Sequence, residues 1–228
     1  MFKTLLEAAK AKQFGTLSKH ENFFDEYDFN FKEIRGKKDL RILEIGVRGG
    51  GSLAMWRSYF DDPLVVGVDI DPECEKWRND RVRICIADQG DEWQLRKIEK
   101  ENGPFDVVIY DGGHTMHQQL TTFKTLFPLL TDGGIFVIED LHTSYWPSFG
   151  GRGGSTTVEY LKRMVDEIHY AAKRSPRASI VYWLKNKIRP FKATPRNEIQ
   201  NAVRSLYVAE SIAFVHKRTA KKDKLLKF

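Results

Sequence analysis

The feature that most constrains this fold is a regular alternation of short apolar segments with longer amphipathic ones. Five segments are rich in β-branched residues and bounded by glycine, proline or aspartate, as expected of strands buried on both faces. They are RILEIG (41–46), LVVGVD (64–69), RVRICIA (81–87), FDVVIYD (105–111) and GIFVIED (134–140). Helical patterns lie at 52–60, 91–102 and 116–130, the last interrupted by Pro128. Strands that alternate with helices predict an α/β fold with a parallel sheet covered on both sides.

The end of the chain predicts a different strand arrangement. Two further strand-like segments, SLYVAE (205–210) and SIAFVHK (211–217), follow each other with almost nothing between them. So short a connection cannot hold a parallel crossover, so the two must form an antiparallel hairpin at one sheet edge. We therefore predict a Rossmann-like, doubly wound, mostly parallel seven-stranded sheet with an antiparallel terminal hairpin. The 228 residues are expected to form a single domain.

The net charge of +6 would by itself suggest a nucleic-acid or anionic-membrane partner. The excess is unevenly distributed, because residues 1–167 hold 22 basic and 28 acidic side chains. Residues 168–197 hold eight basic and no acidic side chains, and residues 217–228 hold six basic and one acidic. We interpret 141–204 as an insertion, since it breaks the strand–helix rhythm, and 217–228 as a basic tail. The first two-thirds of the chain is thus net acidic and is expected to carry the chemistry on a small-molecule or glycan acceptor, not on nucleic acid. The basic insertion and tail still allow an anionic partner.

Cysteine usage and hydropathy predict the compartment. Cys74 and Cys85 are the two cysteines, and they lack the CxxC spacing of a metal or redox site. Free thiols are typical of a cytoplasmic protein. The sequence has no run of 18 apolar residues, which predicts that no segment spans a membrane.

A glycine-rich stretch, LEIGVRGGGS (43–52), follows the first predicted strand. Gly46, Gly49, Gly50 and Gly51 are expected to let the backbone approach a ligand, and Ser52 to cap the next helix. Arg48 stands where a dinucleotide motif has its second glycine, which argues against a pyrophosphate.

Acidic residues end the next two strands. Asp69 is placed to accept hydrogen bonds from both hydroxyls of a ribose, and Asp88, with Gln89 beside it, to meet an adenine amino group. The ligand expected is an adenosine without a diphosphate.

The ordered set LEIGVRGGGS, VVGVDIDP, IADQGD and FDVVIYDGGH, followed by a terminal hairpin, resembles the class I S-adenosylmethionine-dependent methyltransferases. The resemblance covers about residues 40–140 and 205–217. It implies S-adenosyl-L-methionine as the cofactor, and it adds Glu44 and Asp111 to the expected cofactor contacts.

Three carboxylates and a histidine follow the fourth and fifth predicted strands. Asp111, His114, Glu139 and Asp140 are expected in one pocket, because those strands are neighbours in this fold. Converging carboxylates repel unless neutralised, and Mg²⁺ with oxygen ligands is the simplest remedy. A metal would lower the pKa of an acceptor hydroxyl, and His114 is the predicted general base. Alternatively, Asp111 is a strand-end cap, and the adjacent Glu139 and Asp140 point to opposite faces with one in a surface ion pair.

A narrower resemblance is carried by VIEDLHTSYW (137–146), the following FGG, and DGGH about 25 residues earlier. These motifs are similar to the Mg²⁺-dependent sugar O-methyltransferases of macrolide biosynthesis, of the mycinamicin VI 2″-O-methyltransferase type. The resemblance assigns metal binding to Asp111, Glu139 and Asp140 and the base to His114.

The same resemblance also implies roles for the segments before and after these motifs. It makes residues 1–38 a segment that covers the cofactor, with Lys19 and Tyr27 as candidate contacts, although Leu17 and Ser18 depart from the family's GTDK form. It also implies a homo-oligomer. Residues 141–204 would then hold the acceptor, with Tyr145 and Trp146 as aromatic platforms for a sugar.

The resulting hypothesis is an O-methyltransferase that uses S-adenosyl-L-methionine and Mg²⁺ to methylate a sugar hydroxyl of a glycosylated natural product or glycan. Two other classes stay open. One is an RNA-binding or other small-molecule methyltransferase, in which the basic block at 168–197 would follow phosphates. The other is a non-catalytic S-adenosylmethionine-binding protein whose basic tail docks on an acidic partner.

Overall fold

The sheet has seven strands in the order β3-β2-β1-β4-β5-β7-β6. The computed structural model describes residues 2–11, 15–168 and 201–219. Strands β1 to β5 pair in parallel, and β7 runs antiparallel to both β5 and β6. The predicted fold, with its antiparallel terminal hairpin, is therefore confirmed. The strands are β1 Arg41–Ile45, β2 Leu64–Asp69, β3 Val82–Ile86, β4 Val107–Tyr110, β5 Ile135–Ile138, β6 Val203–Ala209 and β7 Ile212–Lys217.

Within the described ranges, helices cover the two faces of this sheet in two groups of three. The helices are α1 Leu5–Lys10, α2 Asn22–Phe31, α3 Gly51–Tyr59, α4 Glu92–Asn102, α5 Met116–Leu126 and α6 Thr157–Ile168. One core layer joins α1, α2 and α3 to the sheet, and the other joins α4, α5 and α6. Adjacent strand residues alternate between the layers, as Val107 and Val108 do in β4, because successive side chains of a strand point to opposite faces. This explains why the central strands β4 and β5 are apolar throughout.

Helix α2 contributes its aromatic side chains to the hydrophobic core. Its Tyr27 ring lies 5.0 Å from Trp56 and 5.3 Å from Phe214, and its Phe31 ring lies 5.6 Å from Phe60. Aromatic pairs of this kind contribute about 0.5–1.5 kcal/mol each beyond the burial of their area. The N-terminal segment is therefore fixed against α3 and β7.

Helix α5 begins and ends where its sequence dictates. Thr115 accepts from the backbone N–H of Gln118, whose side chain reaches back to complete a capping box. The helix ends at Leu126, and Pro128 lies in the 3₁₀ turn that follows. This placement confirms the interruption predicted at Pro128 and brings the segment after β4 back over the sheet.

Part of the predicted insertion lies outside the described residues. Within 141–168 the chain forms two 3₁₀ turns, Leu141–Tyr145 and Pro147–Phe149, and then α6. Residues 169–200, with nearly all of the basic block, and residues 220–228 of the basic tail are not described. Of the helices in the described ranges, none is long and apolar enough to cross a membrane.

Candidate active site

A cavity of about 660 Å³ opens at the carboxyl ends of β1, β2, β4 and β5. The structure brings most of the predicted site residues into its wall. These are Gly46, Gly49, Ser52, Asp69, Gln89, Asp111, His114, Glu139 and Asp140. Residues 16–20 of the N-terminal segment line the same cavity. Predicted residues that do not line it are Tyr27, Glu44, Gly50, Gly51, Asp88, Tyr145 and Trp146.

The glycines of the loop at 46–51 make room for other parts of the chain. A Cβ atom on Gly46, whose φ is +96°, would lie 1.9 Å from the Asp111 carbonyl oxygen. A Cβ atom on Gly49 would lie 2.1 Å from Thr16 Oγ1, and one on Gly51 would lie 2.6 Å from the Thr16 carbonyl carbon. The backbone of Thr16 donates to the Gly49 carbonyl at 2.9 Å and accepts from the Gly51 N–H at 3.3 Å. These glycines therefore let Asp111 and the N-terminal segment come close to the loop, and the predicted approach of a ligand stays a prediction.

The predicted helix cap at Ser52 is wrong. Helix α3 begins at Gly51, and its N-cap is Gly50 in the left-handed conformation. Ser52 already lies inside the first turn, and its hydroxyl donates to Glu44 Oε2 at 2.8 Å. Glu44 is fully buried beneath the loop, which is why it does not reach the cavity.

Asp69 organises the loop from the end of β2. Its Oδ2 accepts from the backbone N–H of Val47 at 2.8 Å and of Arg48 at 2.9 Å, and its Oδ1 accepts from Asp71 at 3.0 Å. Partial burial opposes ionisation, but these donors outweigh it and lower the pKa of the carboxyl group. Asp69 is therefore a carboxylate at neutral pH, facing the cavity.

Asp88 and Gln89 lie in the turn that follows β3, and their side chains have different surroundings. Asp88 is exposed, and its Oδ1 accepts from the Gly90 N–H at 2.7 Å. Gln89 lines the cavity and accepts from the Gly113 N–H at 3.2 Å. Of the two, Gln89 is the residue that the structure brings to the cavity.

Lys19 is the centre of one half of the acid cluster. Its side chain is 1% exposed, and its Nζ lies 2.8 Å from Asp111 Oδ2, 2.6 Å from Glu139 Oε1 and 3.8 Å from Glu44 Oε1. The Tyr27 hydroxyl also donates to Glu139 Oε1. Burial raises the pKa values of Glu139 and Glu44, although Lys19 opposes both shifts. Burial disfavours a charged Lys19, but the carboxylates outweigh this and raise its pKa above the usual value.

Asp140 forms the other half of the cluster and is surrounded by imidazoles. His114 Nε2 lies 3.2 Å from its Oδ2, while His20 Nε2 and His142 Nδ1 lie 3.8 Å and 4.0 Å from its Oδ1. The sequence did not predict a catalytic role for His142, and it did not indicate His20. The carboxylates of Glu139 and Asp140 thus have different partners, although the two residues are adjacent. The partners of Glu139 are buried, so its contact is not a surface ion pair.

Two residues of this site have strained backbones. His114 has φ +60° and Asp140 has φ +57°, in the left-handed region that residues other than glycine adopt at a cost. Such conformations cost about 1–3 kcal/mol each and persist where surrounding structure enforces them. Both residues turn the chain where it leaves neighbouring strands, at the edge of the sheet that carries the acid cluster.

Asp111, His114 and Asp140 fit a divalent cation. One ligand atom from each lies within 4.8 Å of the others. Asp140 Oδ1 and His114 Nδ1 are buried and have no hydrogen-bond partner among the described residues. Carboxylate oxygens suit Mg²⁺ or Mn²⁺, and an imidazole suits several transition metals. Glu139 lines the cavity as well, but both its contacts use Oε1.

A second cavity of about 540 Å³ adjoins the first, with His20 in the walls of both. Its lining is mainly apolar and includes Tyr145 and Trp146, which are 65% and 47% exposed. The Trp146 ring packs 4.6 Å from that of His142. The predicted acceptor residues therefore stand beside the acid cluster and not within the first cavity.

The sequence is similar to those of known methyltransferases over most of its length. Residues 43–141 match a family model described as a methyltransferase domain. The 8-demethyl-8-alpha-L-rhamnosyl tetracenomycin-C 2'-O-methyltransferase of Streptomyces olivaceus is 41% identical over 202 residues, which cover 84% of this chain and 49% of the relative. The mycinamicin VI 2''-O-methyltransferase of Micromonospora griseorubida is 36% identical, over 86% of this chain and 48% of the relative.

A solved structure agrees with these relatives. MycE methyltransferase from the mycinamycin biosynthetic pathway, in complex with Mg and SAH, superposes with a TM-score of 0.78 at 30% identity. The match covers 98% of this chain and 57% of that one. The chain spans about half the length of the curated relatives it matches. Residues 43–141 therefore match a methyltransferase domain family, and over most of its length the chain resembles sugar O-methyltransferases.

Proposed function

We propose that this protein is an S-adenosyl-L-methionine-dependent, Mg²⁺-assisted O-methyltransferase that acts on a sugar hydroxyl of a glycosylated natural product. The observation that carries the proposal is the cluster of Asp111, His114 and Asp140 at one edge of the cofactor-sized cavity. Relatives named as methyltransferases of rhamnosyl and other sugar acceptors support the choice of substrate class.

The cofactor is proposed to occupy the first cavity. Asp69, ionised and facing that cavity, suits the ribose hydroxyls, and Gln89 suits the adenine. Glu44, Ser52 and Gly51 act through the loop, because Ser52 bonds to Glu44 and Gly51 contacts Thr16.

Asp111 and Asp140, with the remaining oxygen of Glu139, are the residues proposed to hold the cation. When bound, the cation would lower the pKa of the acceptor hydroxyl and fix its oxygen in place. Lys19 and Tyr27 keep Glu139 oriented through its Oε1. The chain thus presents the cation with carboxylates held in place before it binds.

His114 is proposed to accept the hydroxyl proton. Burial lowers the pKa of its imidazole, although Asp140 and Asp111 oppose the shift, so the ring is neutral at pH 7. Asp140 fixes the ring through Nε2 and would stabilise the imidazolium that forms. The acceptor oxygen then bonds to the methyl carbon as the carbon–sulfur bond breaks, which releases S-adenosylhomocysteine.

The acceptor is proposed to extend over both cavities. Its sugar would lie near Asp140 and His20, and the rest of the glycoside would contact Tyr145 and Trp146. The apolar lining of the second cavity supports this placement, since aromatic side chains bind apolar ring systems well.

Methyl transfer from labelled S-adenosylmethionine to a rhamnosyl glycoside, with Mg²⁺ or with excess EDTA, tests the proposal. His114→Ala should lower kcat by about 10²–10⁴-fold, the usual contribution of a general base. His117→Ala is the matched control, because His117 is exposed on α5 and lines neither described cavity. Full activity in EDTA would refute the role of the metal, and full activity of His114→Ala would refute the base.

A further inference from the structure

Lys19 is a buried cation contributed by a segment outside the strand–helix framework. It precedes α2 and reaches three carboxylates from different parts of the sheet, namely Glu44 within β1, Asp111 just after β4 and Glu139 just after β5. Its Nζ also lies 5.8 Å from the centre of the Trp56 ring. One side chain therefore holds together the ends of the strands that build the candidate site.

The position of Lys19 is fixed on both sides along the chain. Upstream, Thr16 forms a parallel bridge with Gly50, and its hydrogen bonds connect it to the glycine-rich loop. Downstream, α2 inserts Phe23 and Tyr27, each at most 1% exposed, into the core. The ammonium group is thus a fixed charge and not a mobile side chain that happens to lie near the acids.

Asp111 connects this lysine to the candidate cation site. Its Oδ2 is bound by Lys19, and the same carboxylate belongs to the group formed with His114 and Asp140. A fixed positive charge next to a cation site raises the free energy of the bound divalent ion. It also removes the repulsion between Asp111 and Glu139 when that ion is absent.

We propose that Lys19 is a positioning residue that serves as a built-in counter-ion for Asp111 and Glu139 and weakens the binding of a cation by Asp111 and Asp140. The protein then folds with its acid cluster intact before any metal binds, and the metal binds reversibly. This inference rests on the proposed function only in assigning a divalent cation to Asp111 and Asp140.

The test measures Mn²⁺ binding by electron paramagnetic resonance, without cofactor or acceptor. Lys19→Met removes the charge, and Lys19→Gln removes it while retaining a hydrogen-bond donor. Both should bind Mn²⁺ at least about tenfold more tightly than the wild type, because a full charge near the ion is lost. Lys19→Arg, which keeps the charge, should remain near the wild-type affinity. Lys38→Met is the control, since Lys38 is exposed.

Several results would overturn the proposal. Unchanged or weaker Mn²⁺ binding by folded Lys19→Gln would do so, as would equal tightening in Lys19→Arg. Absence of Mn²⁺ binding at millimolar concentration by both the wild type and folded Lys19→Gln would also do so. If Lys19→Met does not fold, Lys19→Gln decides the question, because it can still hydrogen-bond Asp111.

The outcome is separable from that of the proposed function. Tighter Mn²⁺ binding in Lys19→Gln, combined with no methyl transfer to any glycoside, would support the counter-ion and refute the sugar O-methyltransferase. Metal-dependent methyl transfer with unchanged Mn²⁺ affinity in Lys19→Gln would refute the counter-ion alone.

Discussion

Replacement of Gly49 by alanine should destabilise the protein through the N-terminal segment, even without a bound cofactor. A Cβ atom at this position would lie 2.1 Å from Thr16 Oγ1 and 2.6 Å from the Thr16 carbonyl oxygen. Rotation of the threonine side chain relieves the first contact but not the second, which involves backbone. The segment must therefore move, and the hydrogen bond from Thr16 to the Gly49 carbonyl is strained or lost.

The expected magnitude follows from these two effects. Overpacking of a tight contact costs about 1–3 kcal/mol, and a lost backbone hydrogen bond adds about 0.5–1.5 kcal/mol. Urea unfolding of the cofactor-free protein measures the sum, and Tm should fall by about 2–4 °C per kcal/mol at this chain length. Gly36→Ala is the matched control, since a Cβ atom there meets no atom within 4 Å.

An alternative role for Gly49 makes the opposite prediction. If this glycine serves only to let a cofactor approach, Gly49→Ala leaves the free energy of unfolding unchanged and lowers only the affinity for S-adenosylmethionine in calorimetry. That pattern would refute the reasoning from Thr16. Gly51→Ala should also be destabilised, because its Cβ atom would lie 2.6 Å from the Thr16 carbonyl carbon.

Two further predictions concern the acceptor and the loop. Trp146→Ala should raise KM for an aryl rhamnoside about tenfold with little change in kcat, as expected when binding is lost equally from ground and transition states. The control is Trp93→Ala, because Trp93 is exposed on α4. An equal rise in KM for both variants would contradict the placement of the acceptor against Trp146. Asp69 has a lowered pKa when folded, so its stabilising contribution is complete above the unfolded value of about 3.9 and is lost as pH falls through the folded pKa. Asp69→Asn should therefore lose less stability than the wild type between about pH 5 and pH 3 in urea titrations, whereas parallel curves would show that the carboxylate contributes nothing.

The sheet could be predicted from the sequence because its signals are local. A run such as LVVGVD carries both the β-branched composition of a buried strand and the aspartate that ends it. The spacing of the last two strands excluded a crossover, which alone fixed β7 as antiparallel to β6. The same reasoning placed Asp111, Glu139 and Asp140 at one edge, since parallel strands share a carboxyl end.

The partners of those acids could not be predicted in the same way. Lys19 lies 92 residues from Asp111 and 120 from Glu139 along the chain, and no periodicity connects them. The family resemblance indicated Lys19 and Tyr27 as cofactor contacts, whereas the structure joins both to Glu139. The cap at Ser52 failed for a related reason, because the nearby Glu44 offers its hydroxyl a buried acceptor.

The strained backbone at Asp140 gives a physical reason for the division of the acid cluster. Glu139 is committed to Lys19 and Tyr27, so a second carboxylate on the same side would add repulsion in a buried setting. At φ +57° the chain turns sharply into the 3₁₀ turn Leu141–Tyr145, and Asp140 meets His114, His20 and His142 instead. Aspartate tolerates the left-handed conformation better than most residues, which limits the cost of the turn. An adjacent Glu-Asp pair can thus supply one carboxylate neutralised by lysine and one surrounded by imidazoles, although the two are neighbours in sequence.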